Sequence, residues 1–128
     1  MNKRAREIFY DFDGKLVGTK LMQRYVCQTL SVMPEKTIKF VTKNCWFVSS
    51  MDDAWGFVFK GNDLKNQYLI FLSEDLFCQH AFQIHYSIAH EIGHVMLGHR
   101  NSVFVKQTKA EIKKQEKEAD AFAKESSR

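Results

Sequence analysis

Apolar residues recur at nearly helical spacing from about Leu16 to Met33, and Pro34 closes this segment. The pattern predicts one amphipathic helix near the start of the chain. It is followed by runs with the composition of β-strands, over Thr37 to Thr42, Cys45 to Ser50 and Trp55 to Lys60. Only short breaks separate these runs, so we interpret them as an antiparallel meander. After a turn signal at residues 61–63, the segment from Gln67 to Ser73 is predicted to form a further strand.

Two more helices are predicted towards the end of the chain. From about His80 to His99 the apolar residues fall on almost every side of a helix, so this helix should be central and buried. The last helix, from about Lys109 to Lys124, is charged over most of its surface. We therefore expect one domain over residues 1–128, without an internal boundary. Its expected class is α+β, a small antiparallel sheet packed with an N-terminal helix, a central helix and a C-terminal helix.

The composition indicates one small domain in the cytoplasm. The chain has 128 residues, 45% of them hydrophobic, which is enough for one core and too few for two. No apolar run approaches the roughly 20 residues of a membrane span, and no signal peptide is recognisable. Cys27, Cys45 and Cys78 form neither a close ligand pair nor an even disulfide set, which indicates reduced thiols. A net charge of +4 is too small to predict direct binding to nucleic acid.

The segment from His90 to His94 reads HEIGH and matches the HExxH pattern of zinc hydrolases. Two histidines four residues apart lie about 40° apart around a helix, so both imidazoles can reach one ion. Glu91 is offset by about 100° from His90, beside the metal, where a carboxylate can take a proton from water that zinc has acidified. We therefore predict Zn²⁺ as the cofactor, His90 and His94 as ligands, and Glu91 as the catalytic base. The alternative is a structural helix whose histidines are satisfied by hydrogen bonds.

A catalytic zinc site of this type needs a third protein ligand. The metzincin pattern would place a histidine where this chain has Arg100, so that pattern does not fit. His99 lies about 180° from His90 and would reach the ion only if the helix broke at Gly98. The remaining candidates are acidic residues of the final helix, an arrangement that resembles the second-helix ligand of gluzincins.

Helical phase favours Glu116 among these acidic residues. With Ile112 at 0°, Glu116 falls at about 40° and Asp120 at about 80°, on the apolar face. Glu111 and Glu118 fall on the side expected to face solvent. A charged residue on a buried face needs a partner, and zinc would be one. We predict Glu116 as the third ligand and Asp120 as the acceptor of a hydrogen bond from a ligating histidine. The alternative is that both carboxylates pair with lysines on a solvated helix.

The two motifs together resemble the ImmA/IrrE family of HExxH metallopeptidases. The resemblance rests on residues 86–94 with Leu97 and His99, and on the second motif from Glu116 to Ala123. It implies a compact α+β domain that holds zinc through two histidines and a glutamate. It also implies a protein substrate, which in such families is often a helix-turn-helix transcriptional repressor.

The chain departs from this family at two places. It has His85-Tyr86 where the family commonly has Arg-Phe, and it stops soon after Lys124 where the family often continues with an apolar stretch. A catalytically idle, zinc-stabilised regulator that binds a protein is therefore the alternative function. The candidates for stabilising the negative charge that develops during hydrolysis are Tyr86, His99 and Arg100, and the sequence does not choose among them.

Overall fold

The computed structural model of the chain describes residues 1–50, 67–98 and 109–126. In chain order its elements are α1 (Lys3–Asp11), β1 (Leu16–Val17), α2 (Lys20–Ser31), α3 (Glu35–Asn44), β2 (Cys45–Ser50), β3 (Tyr68–Ser73), a 3₁₀ helix (Glu74–Cys78), α4 (Ala81–Met96) and α5 (Lys109–Ser126). The predicted combination of helices with a small sheet is confirmed. No helix in the described ranges is both long enough and apolar enough to cross a membrane.

The three strands form one parallel sheet in the order β1-β2-β3, so the predicted antiparallel arrangement is wrong. Two interpretations were wrong: residues 37–42, predicted as a strand, lie within α3, and Leu16–Val17, predicted as helix, form β1. Strands joined by short breaks form hairpins, whereas a helical crossover, here α2 and α3 between β1 and β2, permits parallel pairing. The predicted strand from Trp55 to Lys60 and the turn signal at residues 61–63 lie outside the described residues.

Residues 37–42 are helical despite their β-branched composition. Thr37, Ile38, Val41 and Thr42 are all buried, and this spacing lies on one face of a helix. The Thr42 hydroxyl donates a hydrogen bond to the Ile38 carbonyl at 2.8 Å, which keeps its polar atom satisfied in the core. Burial of this face therefore outweighs the intrinsic preference for strand.

The helix predicted from Leu16 to Met33 begins later than expected. β1 takes the first two residues, and α2 follows Thr19, whose hydroxyl accepts a hydrogen bond from the backbone N–H of Met22 at 3.1 Å. Between them, a Cβ atom on Gly18 would lie 2.6 Å from the Cβ of Ser49 in β2. The absence of a side chain at Gly18 thus lets the turn pass against the sheet.

The core lies between the sheet and the helices. Its largest fully buried side chains include Ile8, Phe12, Met22, Leu30, Phe47, Ile84, Ile88 and Ile92. The rings of Phe12 and Phe47 pack edge to face with their centroids 5.8 Å apart, which joins the end of α1 to the middle of the sheet. Three of these core residues belong to α4, so the predicted central, buried helix is confirmed.

α4 is bounded by recognisable capping residues. The His80 ring accepts a hydrogen bond from the Phe82 N–H at 3.2 Å, and Gly98 follows the helix in the left-handed conformation, with φ of 70°. α5, the predicted final helix, packs against α4 through the fully buried Ala119 and Ala123. The fold thus sets an HExxH helix beside the helix that carries the acidic motif.

Candidate metal centre

His90 and His94 lie one turn apart on α4 and turn their rings towards each other. Their Nε2 atoms are 3.1 Å apart and their ring centroids are 4.7 Å apart. His94 is buried, with 8% of its surface exposed, and His90 is half-buried. The HExxH spacing therefore brings two imidazole nitrogens to one point at the edge of the core.

Glu116 of α5 completes a three-residue cluster. Its Oε2 lies 2.9 Å from the Nε2 of His90, and its Oε1 lies 3.0 Å from the Nε2 of His94. Its side chain is 52% exposed, so the cluster is buried on the α4 side and open on the α5 side. The structure thus brings together the three residues that the sequence predicted as ligands.

Asp120, one turn after Glu116, contacts the opposite side of the His90 ring. Its Oδ1 lies 2.8 Å from the Nδ1 of His90, as expected for the predicted acceptor. The same oxygen accepts a hydrogen bond from the Tyr86 hydroxyl at 3.0 Å. Desolvation and this hydrogen bond raise the pKa of the Tyr86 phenol above its ordinary value.

The position of α5 depends on small residues at the helix contact. A Cβ atom on Gly93, within the HExxH motif, would lie 3.0 Å from the Cδ1 of Phe122. The buried stripe of α5 consists of Ala119 and Ala123, whose short side chains let the two helices approach. Ile112, which served as the centre of the apolar face in the sequence analysis, is instead 46% exposed.

The donor set fits a divalent metal ion. Donor atoms of His90, His94 and Glu116 all lie within 4.8 Å of one another. Zinc bonds of about 2.0–2.2 Å in a tetrahedral arrangement place neighbouring donors about 3.4 Å apart. The observed separations of 2.9–3.1 Å are slightly shorter, so small side-chain movements would admit an ion. Glu116 and Asp120 also bring two carboxylates to one imidazole, a concentration of negative charge that a cation would balance.

The sequence also singled out Glu91, His99 and Arg100. Glu91 is half-buried on α4, directly after His90 and offset from it by about 100° around the helix axis. His99 and Arg100, the candidates for a third ligand or for charge stabilisation, lie outside the described residues. Tyr86 has a role at the site that was not predicted from the sequence, because its hydroxyl donates a hydrogen bond to Asp120. The spacing of four residues between Tyr86 and His90, which puts both on one face of α4, could have indicated this role.

His85 lies on α4 but contacts α2 instead of the metal cluster. Its Nδ1 lies 2.7 Å from the Oγ1 of Thr29 in α2, and its ring packs edge to face on Tyr25 with centroids 5.1 Å apart. The Thr29 hydroxyl donates its own proton to the Tyr25 carbonyl at 2.7 Å, so it must accept from His85. Burial lowers the pKa of His85, which favours the neutral ring.

A comparison with known proteins places the chain in a family of peptidases. The family model that matches, over residues 58–126 and thus over half of the chain, describes peptidases. Its description is Peptidase U49, and the chain belongs to this family. The matched range includes α4 and α5 with the whole cluster. It supports a peptidase function without singling out the ImmA/IrrE-like enzymes. No curated protein and no solved structure matches the chain.

Proposed function

We propose that the protein is a zinc-dependent peptidase that hydrolyses peptide bonds of a protein substrate. The observation that carries the proposal is the convergence of His90, His94 and Glu116 within the range that matches a peptidase family. Two imidazoles and one carboxylate are the donor set of a known class of catalytic zinc sites in peptidases. Such a set leaves a fourth position for water or substrate.

In this proposal three residues bind the metal ion and a fourth orients one of them. His90 and His94 would hold the ion through Nε2, and Glu116 would hold it through its carboxylate. When bound, zinc supplies Lewis-acid chemistry and lowers the pKa of water. Asp120 accepts the Nδ1 proton of His90, which keeps the lone pair of Nε2 directed at the ion.

Glu91 moves the proton. Its carboxylate accepts a proton from the attacking water as the water oxygen bonds to the peptide carbonyl carbon. The C–N bond then breaks, and Glu91 donates the proton to the leaving amine nitrogen. Its half-buried position beside His90 supports this assignment, because a base must lie near the metal without being a ligand.

The resemblance to ImmA/IrrE proteins suggests the class of substrate. We propose that the substrate is a protein and that the first candidate is a helix-turn-helix transcriptional repressor. A cytoplasmic location is part of this proposal, since such a repressor acts there. The described residues contain three free cysteines, Cys27, Cys45 and Cys78, which agrees with a reducing compartment.

The test uses a mixture of synthetic peptides of diverse sequence, incubated with the zinc-loaded protein and analysed by mass spectrometry. The wild type should produce fragments that a chelator abolishes. Glu91→Gln preserves size and removes the base, so it should lower the cleavage rate by about 10²-fold or more while its zinc content is unchanged. Glu118→Gln, on α5 but outside the cluster, is the matched control and should cleave normally.

Two results would contradict the proposal. Equal cleavage by Glu91→Gln would exclude its role as the base. Intact peptides after incubation with fully zinc-loaded wild type would exclude the peptidase and leave the idle, zinc-stabilised regulator.

A further inference from the structure

One oxygen atom of Asp120 links two residues of α4. Oδ1 lies 2.8 Å from the His90 Nδ1 and accepts the hydrogen bond of the Tyr86 hydroxyl at 3.0 Å. Tyr86 and His90 are one helical turn apart, so the helix itself fixes the distance between the two groups that meet at this carboxylate. Asp120 is held from two directions by one rigid element.

We propose that Tyr86 is a positioning residue of the metal centre, an inference that rests on the proposed function. Its hydroxyl fixes the Asp120 carboxylate in the rotamer that accepts the proton of His90 Nδ1. This in turn keeps the Nε2 of His90 directed at the ion. Tyr86 is not a ligand and acts only through Asp120.

The exposure of Asp120 is the reason that a second contact matters. Its side chain is 47% exposed, so water can compete for its oxygens and the side chain can turn outwards. A single hydrogen bond to His90 would leave that motion available. The phenol hydroxyl, a donor to a charged acceptor, makes the inward rotamer more favourable.

The Tyr86 ring is itself held in place. It stacks with the ring of Phe82 at a centroid distance of 6.3 Å and lies 6.5 Å from the ring of His90. These contacts follow the i, i+4 spacing along α4 and form a continuous row of rings that leads to the metal ligands. Because these neighbours limit the motion of the ring, holding the hydroxyl at Asp120 costs less conformational entropy.

The test is a double-mutant cycle read out as zinc affinity, measured by competition with a chromophoric chelator. The cycle contains wild type, Tyr86→Phe, Asp120→Ala and the double variant. Tyr86→Phe keeps the ring and removes only the hydroxyl, and we expect it to weaken zinc binding about tenfold, within the range for groups that orient a metal ligand. In the Asp120→Ala background the same change should alter the affinity by less than about twofold, because its route to the metal has gone.

Tyr25→Phe is the matched control, since Tyr25 packs on α4 through His85 on the face away from the cluster. It should bind zinc as the wild type does. Wild-type affinity in Tyr86→Phe, or an equal loss in the Asp120→Ala background, would overturn the positioning role while leaving the zinc site intact. Absence of zinc binding in the wild type would overturn both this inference and the proposed function.

Discussion

Gly93 and Phe122 set the separation of the two helices that carry the cluster. Gly93 belongs to the HExxH motif, and a Cβ atom built on it would lie 3.0 Å from the Cδ1 and 3.1 Å from the Cβ of Phe122. These contacts are a few tenths of an ångström tighter than ordinary contacts between carbon atoms. One of them is to the Cβ of Phe122, which cannot move without its backbone, so α5 itself would have to shift. The glycine therefore allows Glu116, six residues before Phe122 on α5, to reach the histidines.

Gly93→Ala should consequently push α5 away from α4 and weaken zinc binding. Alanine favours helix by about 1 kcal/mol over glycine, whereas overpacking costs about 1–3 kcal/mol, so we expect a net loss of stability. Urea unfolding and zinc titration of the variant would measure the two effects. Adding Phe122→Ala should remove the close contacts with the ring, although not the one with the Cβ, and so recover part of the zinc affinity. Wild-type affinity in Gly93→Ala alone would show that this contact does not position Glu116.

His85 should make stability depend on pH. Burial lowers its pKa in the folded state, so the unfolded chain binds more protons over the window below about pH 6.5, the ordinary value for histidine. This contribution to stability is present above that pH and is lost as the pH falls. His85→Gln keeps a donor for Thr29 without the titration, and should lose less stability than wild type between pH 7.5 and pH 5.5 in urea unfolding. An identical loss in the two proteins would contradict the assignment.

The cysteines should differ sharply in reactivity. Burial raises the pKa of the Cys27 and Cys45 thiols to about 12, whereas Cys78 is exposed. Since the thiolate is the reactive form, the native protein should react quickly with a disulfide reagent at Cys78 alone, and at all three thiols in denaturant. Cys78→Ser should abolish the fast reaction. Rapid modification of Cys27 or Cys45 in the native state would mean that the core opens readily there.

The cluster could be predicted because its information is local. The spacing of His90 and His94 follows from helix geometry alone, and the helical phase of α5 distinguished Glu116 from Glu118. The phase was useful although its reference, Ile112, proved to be exposed. Ala119 is fully buried and lies about 20° from Ile112 around the helix axis, so the true stripe and the assumed one nearly coincide.

The sheet could not be predicted in the same way because its direction depends on what connects the strands. Thr37, Ile38, Val41 and Thr42 have the composition of a strand, and only their burial against the core reveals the helix. The two residues of β1 were also included in the predicted first helix, so the strand that pairs in parallel with β2 across α2 and α3 was not recognised. The contact of Tyr86 with Asp120 likewise depends on how α5 packs on α4, which no single helix pattern contains.

Metal content of protein purified without added metal, measured by mass spectrometry, tests the central claim most directly. The proteins are wild type, Glu116→Ala and the matched Glu118→Ala on the same helix. The proposed site predicts about one zinc per chain in wild type and in Glu118→Ala, and a clear loss in Glu116→Ala. No metal in wild type after zinc is supplied, or equal zinc in all three, would contradict a site built from His90, His94 and Glu116.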